Sequence, residues 1–304
     1  MHKINYPILA LIVANIIWGA TSPIIKYSLG NIPPFSLAFL RFLIASLILY
    51  FFVHKKIAYS DLKNKWLWLY ALAGITFNIA FFFLALQRTT AIEATIIASF
   101  APIMTLIGAS IYLRERLTKN AIAGVSLALI GAVVIIFEPL IFQGFTGAVL
   151  GNFLMLLATF FAVIATIAGR KFLTPANAAG STFWACLIGT VTFLPLMSYE
   201  FIQNPFWFGE LNSKGYLGII YGGIFSSLIA YSFYNWALSK LQAYKTSVFV
   251  YIDPVAAILI AIPLLGEKIT IPFLVGSALV FLGILIAEKR VHYHPLHKLL
   301  NSNS

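Results

Sequence analysis

Long apolar runs separated by short polar breaks fill this chain from residue 7 to residue 288. Each run is close to the ~20 residues that a helix needs to cross the hydrocarbon of a bilayer. Short alternating strands, the mark of a closed barrel, are missing from the pattern. Backbone inside a membrane must satisfy its own hydrogen bonds, so continuous runs of this length predict helices. The breaks place ten of them, at 7–27, 35–53, 66–87, 91–113 and 119–137, then 146–169, 179–199, 215–239, 244–265 and 270–288. Asn31-Ile32-Pro33-Pro34 divides the first from the second, and Pro205 sits in the longest connection, from Glu200 to Lys214.

Residues 85–131 repeat at 237–283 with a constant offset of 152. Pro102 meets Pro254, Glu115 meets Glu267, Gly124 meets Gly276 and Gly131 meets Gly283. The chain therefore reads as a duplicated unit. One copy covers 7–138, the other 146–288, and a tail follows at 289–304. Five spans per copy is an odd number, so the second copy must enter the membrane upside down, and two inverted copies are expected to enclose a central cavity.

Composition excludes a soluble protein. With 61% hydrophobic and 10% charged residues and a mean hydropathy of +0.94, there is too little polar surface to wrap a soluble core. The net charge of +11 does not point to nucleic acid, because the basic residues sit in short clusters at span ends. They report topology instead. Placing the amino terminus inside assigns 15 of the 20 Lys and Arg residues to inner loops and tails, including Lys55, Lys56, Lys63, Lys65, Arg114, Arg116, Arg170 and Lys171. Both termini are then cytoplasmic, in a multi-pass protein of the cytoplasmic membrane. The inside triplet Arg114-Glu115-Arg116 becomes Gly266-Glu267-Lys268 on the outside, so the glutamate is kept while basic charge is lost. Residues 7–27 are too long for the apolar core of a secretory signal and have no A-x-A-like site after them, so they read as the first span. The single cysteine, Cys186, lies within an apolar run and reads as a packing residue.

Several of these segments together resemble the EamA family of ten-span carriers in the drug/metabolite transporter superfamily. They are Trp18-Gly19 with Lys26, Leu40-Arg41-Phe42, and Ala85-Leu86 through Pro102 to Glu115-Arg116-Leu117-Thr118. The second copy adds Trp236-Ala237-Leu238 through Pro254 to Gly266-Glu267-Lys268-Ile269-Thr270, though without a clear Trp-Gly equivalent. The resemblance covers about residues 7–288. It implies a secondary carrier of a small metabolite, amino acid-like or amphipathic and aromatic, working by alternating access, with export as the expected direction and no cofactor. Neither a phosphate-cradling loop nor a nucleotide-binding domain is present in the sequence, so any uphill transport must draw on a gradient.

Asp253 is the sharpest candidate, an ionisable residue well inside the ninth span, where an unpaired charge costs at least ~2.5 kcal/mol. It is expected to bind substrate or relay protons, with helix capping ahead of Pro254 as the structural alternative. Its repeat partner is Ala101, so the acid is not required merely to break the helix. Arg41, Lys26, Glu93 and Glu138 are expected in the outer half, as a charge-paired gate or as plain ion pairs. Trp18, Asn78, Tyr231, Tyr234, Asn235 and Tyr251 offer flat faces and polar handles for a substrate, and Tyr231, Tyr234 and Asn235 share one helix face. Asn15, Asn152, Thr159 and Thr166 are expected to bond mainly to their own surroundings. The paired glycines, Gly147-x-x-x-Gly151 and Gly218-x-x-x-Gly222 suit close helix packing or a homodimer surface.

The competing classes are an intramembrane enzyme acting on lipid or peptide, and a lipid flippase or channel. An enzyme would need a clustered nucleophile, base or metal set, yet all five histidines lie in loops or termini. No metal-ligand spacing occurs, and neither a metal nor a nucleic-acid partner is expected.

Overall fold

The computed structural model describes residues 6–113, 119–143, 147–241, 243, 246 and 248–288. Glu115, the side chain of Glu138 and the 289–304 tail lie outside what is described. All regular structure among the described residues is helical. The principal helices are α1 (Tyr6–Ser28), α2 (Pro34–Val53), α3 (Lys65–Leu86), α4 (Ala91–Ala98), α5 (Ala101–Leu113) and α6 (Lys119–Gln143). They continue with α7 (Gly147–Phe172), α8 (Ala178–Gln203), α9 (Ser213–Lys240), α10 (Ile252–Leu265) and α11 (Ile271–Glu288). Seven described helical stretches are long and apolar enough to cross a membrane, one of them, Ala91–Gly108, running from α4 into α5, and shorter apolar helical stretches lie at Ser126–Ile135, Phe249–Leu265 and Ile271–Gly283.

The single helix predicted over 91–113 is broken. It stops at Ser99 and restarts at Ala101, because Pro102 has no N–H to donate to the preceding turn. In the second copy the helix containing the matching Pro254 also starts afresh, after a 3₁₀ turn at Val248–Tyr251. That turn corrects one expectation. Asp253 lies inside the first turn of α10, Tyr251 occupies the cap position, and no side chain caps this helix.

Two further irregularities match across the copies. Within α3, Leu72–Phe77 is a π-helical turn, and within α9 the segment Tyr221–Ala230 is π-helical. Shifted by 152, residues 72–77 become 224–229, inside the second π segment. A π turn frees backbone groups from the regular ladder, and such turns are frequent at functional sites.

Packing between the halves is reciprocal. α2 packs on α8 and α6 on α11, each joining corresponding members of the two copies. α1 packs on α9 and α10, while its counterpart α7 packs on α3, α4 and α5. Glycines set the closest approaches. A Cβ on Gly131 would lie 2.5 Å from the Gly276 carbonyl oxygen, and one on Gly283 would lie 2.5 Å from that of Gly124. The paired glycines therefore face each other across the α6/α11 seam, as small residues do where membrane helices touch. Gly151 sits against Arg88 and Thr89, Gly218 against Ser28 and Gly222 against Arg41, so these three glycines are covered within the chain.

Carboxylates anchor helix starts, where N–H groups lack intrahelical partners. Glu200 accepts from the Phe35 and Ser36 amides at 3.0 and 2.6 Å, holding the start of α2. Glu267 accepts from the Ala91 and Ile92 amides at 2.7 and 3.0 Å, holding the start of α4.

Candidate functional site

A cavity of about 180 Å³ lies between the halves, walled by α1, α2, α3, α4, α5, α7, α9 and α10. Trp18, Arg41, Asn78, Tyr231, Tyr234 and Asp253 all line it. These residues come from five helices, and the tight crossings bring them together. Gly19 is the clearest instance, since a Cβ there would lie 2.5 Å from the Asp253 carbonyl oxygen. The lack of a side chain at Gly19 lets α10 approach α1, with Trp18 and Asp253 on the cavity wall beside this crossing.

The aromatic side chains form a connected wall. The Trp18 ring meets Tyr231 edge-on at 5.2 Å and Tyr234 at 5.0 Å. The Trp18 indole donates to the Ser226 carbonyl at 3.2 Å, and the Tyr231 hydroxyl donates to the Gly74 carbonyl at 3.3 Å. Gly74 and Ser226 occupy equivalent positions in the two π segments at the offset of 152. Each π turn thus offers a carbonyl to an aromatic donor of the other half.

Arg41 is buried at 1% exposure and held from two sides. Its Nε donates to Ser227 Oγ at 2.8 Å and its Nη2 to Ser226 Oγ at 2.9 Å. The guanidinium carbon lies 4.9 Å from the Phe42 ring centre and 5.7 Å from that of Phe83, within cation–π range. Nη1 has no hydrogen-bond partner. Asp253 is buried at 8% exposure, and its Oδ1 also has none. Arg41 and Asp253 form no ion pair with each other or with another described residue. Both ionisable side chains line one cavity, each with one atom lacking a hydrogen-bond partner.

The rest of the wall is mostly apolar, and its polar side chains are largely self-satisfied. Thr21, Thr105, Thr159 and Thr166 donate to carbonyls one turn back in their own helices, at 2.7–3.0 Å. Asn78 donates to the Ala158 carbonyl at 2.8 Å, tying α3 to α7. Tyr234 shares a 3.0 Å bond with Thr166.

Other sequence candidates lie elsewhere. Asn235 is fully buried off the cavity, accepting from the Tyr70 hydroxyl at 2.7 Å and donating to Thr182 at 2.9 Å. Tyr251 is not on the cavity wall and packs edge-on against Phe281 at 6.1 Å. Glu93 closes a capping box with Thr90 at the start of α4 and also accepts from Thr89 at 2.6 Å. Lys26 pairs with Glu267 at 3.9 Å and donates to the Thr89 carbonyl, so the ends of α1, α3 and the α10–α11 loop are joined on one side of the cavity. Arg41 takes no part in this cluster, because Ser226 and Ser227 hold it at the cavity. Sequence reading did not single out those serines, although two consecutive hydroxyls in an apolar run were a visible signal. Tyr70 and Phe82 also line the cavity without having been singled out.

Membrane-length helices closed around a central cavity lined by buried ionisable side chains make this an integral membrane protein, and the family match places it in the transporter class. The chain belongs to the EamA-like transporter family, whose family model matches residues 5–137 and 149–288. An uncharacterized transporter of Archaeoglobus fulgidus is 32% identical over 285 residues, covering 93% of this chain and 98% of that protein. A protein of Salmonella typhimurium named a probable amino-acid metabolite efflux pump is 27% identical over 288 residues, covering 91% and 93%. A solved crystal structure is similar across 99% of this chain and 100% of its own, at 21% identity and a TM-score of 0.66, a likeness in fold.

Proposed function

We propose that the protein is a secondary active transporter that moves a small organic metabolite, amino acid-like or amphipathic and aromatic, across the cytoplasmic membrane by alternating access, with export as its direction. The observation that carries this reading is the pair of buried ionisable side chains, Arg41 and Asp253, lining one cavity without mutual pairing. Ionisable residues at membrane depth are costly and mark substrate or proton pathways. The reciprocal packing of the halves supports ten spans arranged as two inverted five-helix repeats. The efflux-pump name of the Salmonella relative supports the substrate type and the direction.

In this reading Asp253 serves both substrate and proton, and Trp18, Tyr231 and Tyr234 cover the apolar part of the substrate. The Lys26–Glu267 pair with Thr89 and Glu93 closes the outer side, and both termini lie in the cytoplasm. Proteoliposomes with an imposed pH difference test the coupling. Wild type is expected to accumulate substrate uphill, and Asp253→Asn to lose that accumulation while exchange without a pH difference persists at a reduced rate. Unchanged uphill transport by Asp253→Asn contradicts the role given to Asp253.

A further inference from the structure

We propose that Glu267 is a releasable latch over one side of the cavity. It reaches from the second copy to hold the start of α4, aimed there by a left-handed turn at Gly266, and its release lets the cavity open to that side. This rests on the transporter reading above and adds to it the device that keeps one side shut.

Glu267 follows directly on α10, which ends at Leu265 with Gly266 at φ +65° and the Gly266 amide bonded to the Ile262 carbonyl at 3.0 Å. A Cβ on Gly266 would meet nothing within 4 Å, so it is the left-handed backbone and not crowding that calls for glycine. The turn carries the Glu267 side chain inward to 7% exposure, although Gly266 and Lys268 on either side of it are exposed. There its two carboxylate oxygens take the Ala91 and Ile92 amides, at 2.7 and 3.0 Å, and one faces Lys26 of α1 at 3.9 Å. The rest of the cap is internal to α4. Thr90 Oγ1 accepts from the Glu93 amide at 3.0 Å, and the Glu93 carboxylate accepts from the Thr90 amide at 3.2 Å. When Glu267 leaves, α4 keeps this capping box, and water has only two amides at a helix end to take over. A contact of this kind joins the two copies and comes apart without unwinding either. Its place fits the task, because Ser22 and Thr95, each about one helical turn from Lys26 and Ala91, both line the cavity. The latch therefore lies directly over the cavity wall.

Thiol accessibility of the full-length protein in proteoliposomes reads the latch. The reporter is Ser22→Cys on the cavity wall, in a chain whose Cys186 is replaced by alanine. A membrane-impermeant methanethiosulfonate is added to the side from which Ser213→Cys reacts. Ser213 is exposed on the latch side, since the neighbouring Asn212 amide bonds to Asn31, just past the end of α1 that carries Lys26. With the latch intact, Ser22→Cys is expected to react slowly. Glu267→Ala is expected to speed the reaction roughly tenfold or more, the population shift that loss of one charge-assisted hydrogen bond carries. Lys26→Met, which removes only the partly exposed pair, is expected to give a smaller rise, about two- to fivefold. Gly266→Ala strains the turn and is expected to raise the rate several-fold, whereas Gly266→Asn accepts the left-handed conformation and is expected to stay within about twofold of the parent. Cys186, fully buried and off the cavity wall, is the control: in the native chain carrying Glu267→Ala it is expected to stay unreactive. If Glu267→Ala does not fold, Glu267→Gln, which keeps an acceptor without the charge, is expected to show a several-fold rise. An unchanged Ser22→Cys rate in the Glu267 variants overturns the latch. So does a matching rise at Cys186, which would make Glu267 a general brace of the fold. Equal rates in Gly266→Ala and Gly266→Asn overturn the aim given to the turn. Saturable counterflow with an unchanged Ser22→Cys rate removes the latch and leaves the transporter reading standing, whereas a faster rate without saturable flux for any solute removes that reading.

Discussion

Gly19 stands where α1 crosses the start of α10, and a Cβ there would lie 2.5 Å from the Asp253 carbonyl oxygen and 2.8 Å from Ala256 Cβ. Backbone cannot give way as a flexible side chain does, so Gly19→Ala is expected to push the helices apart at a cost of about 1–3 kcal/mol. Gly30→Ala is the control, since its Cβ would meet only the Tyr27 carbonyl at 3.6 Å. Thermal unfolding should show a lower Tm for the first and little change for the second. Glu267→Ala removes a carboxylate that accepts two amides at the start of α4 and pairs with Lys26, with an expected loss of about 1–2 kcal/mol. At this scale Asp253 and the Trp18-Gly19 pair were legible because acids, aromatics and glycines are conspicuous in apolar runs. The surroundings of Arg41 were not. Its partners Ser226 and Ser227 are 185 and 186 positions away, and depth within a span says nothing about which helix stands opposite.

The two π segments are the least regular parts of α3 and α9, and both are tied across the halves by cavity aromatics. Removing one tie, by Trp18→Phe or Tyr231→Phe, forfeits one hydrogen bond, about 1 kcal/mol each. The two rings touch at 5.2 Å, so the double variant is expected to depart from additivity by at least ~0.5 kcal/mol in a double-mutant cycle. Strict additivity would mean that the two ties act separately. The π turns were illegible in the sequence because a π turn and an α turn present the same apolar run, with no proline or polar break to mark the change. The interruption at Ser99–Phe100, in contrast, had a visible cause in Pro102. It was missed because hydropathy continues unbroken through it.

Across the whole molecule, the offset of 152 in the sequence and the reciprocal packing of the helices describe one arrangement from two sides. The repeated prolines and glycines stand at structurally demanding places, such as the α6/α11 seam where Gly131 meets Gly276 and Gly283 meets Gly124. Which helices pack across the halves was not legible, since apolar faces in a bilayer carry little partner information. Topology is checked with single cysteines after replacing Cys186, which is buried. Ser60→Cys is expected to label only from the cytoplasmic side and Ser213→Cys only from the outside, both positions being exposed; the reverse pattern would invert the orientation. In the proposed function, one cavity serves both faces of the membrane in turn. Counterflow in proteoliposomes tests it most directly: the account expects saturable uptake of labelled amino acid that is accelerated by unlabelled amino acid on the opposite side, whereas linear, unsaturable flux indifferent to the opposite side would contradict it.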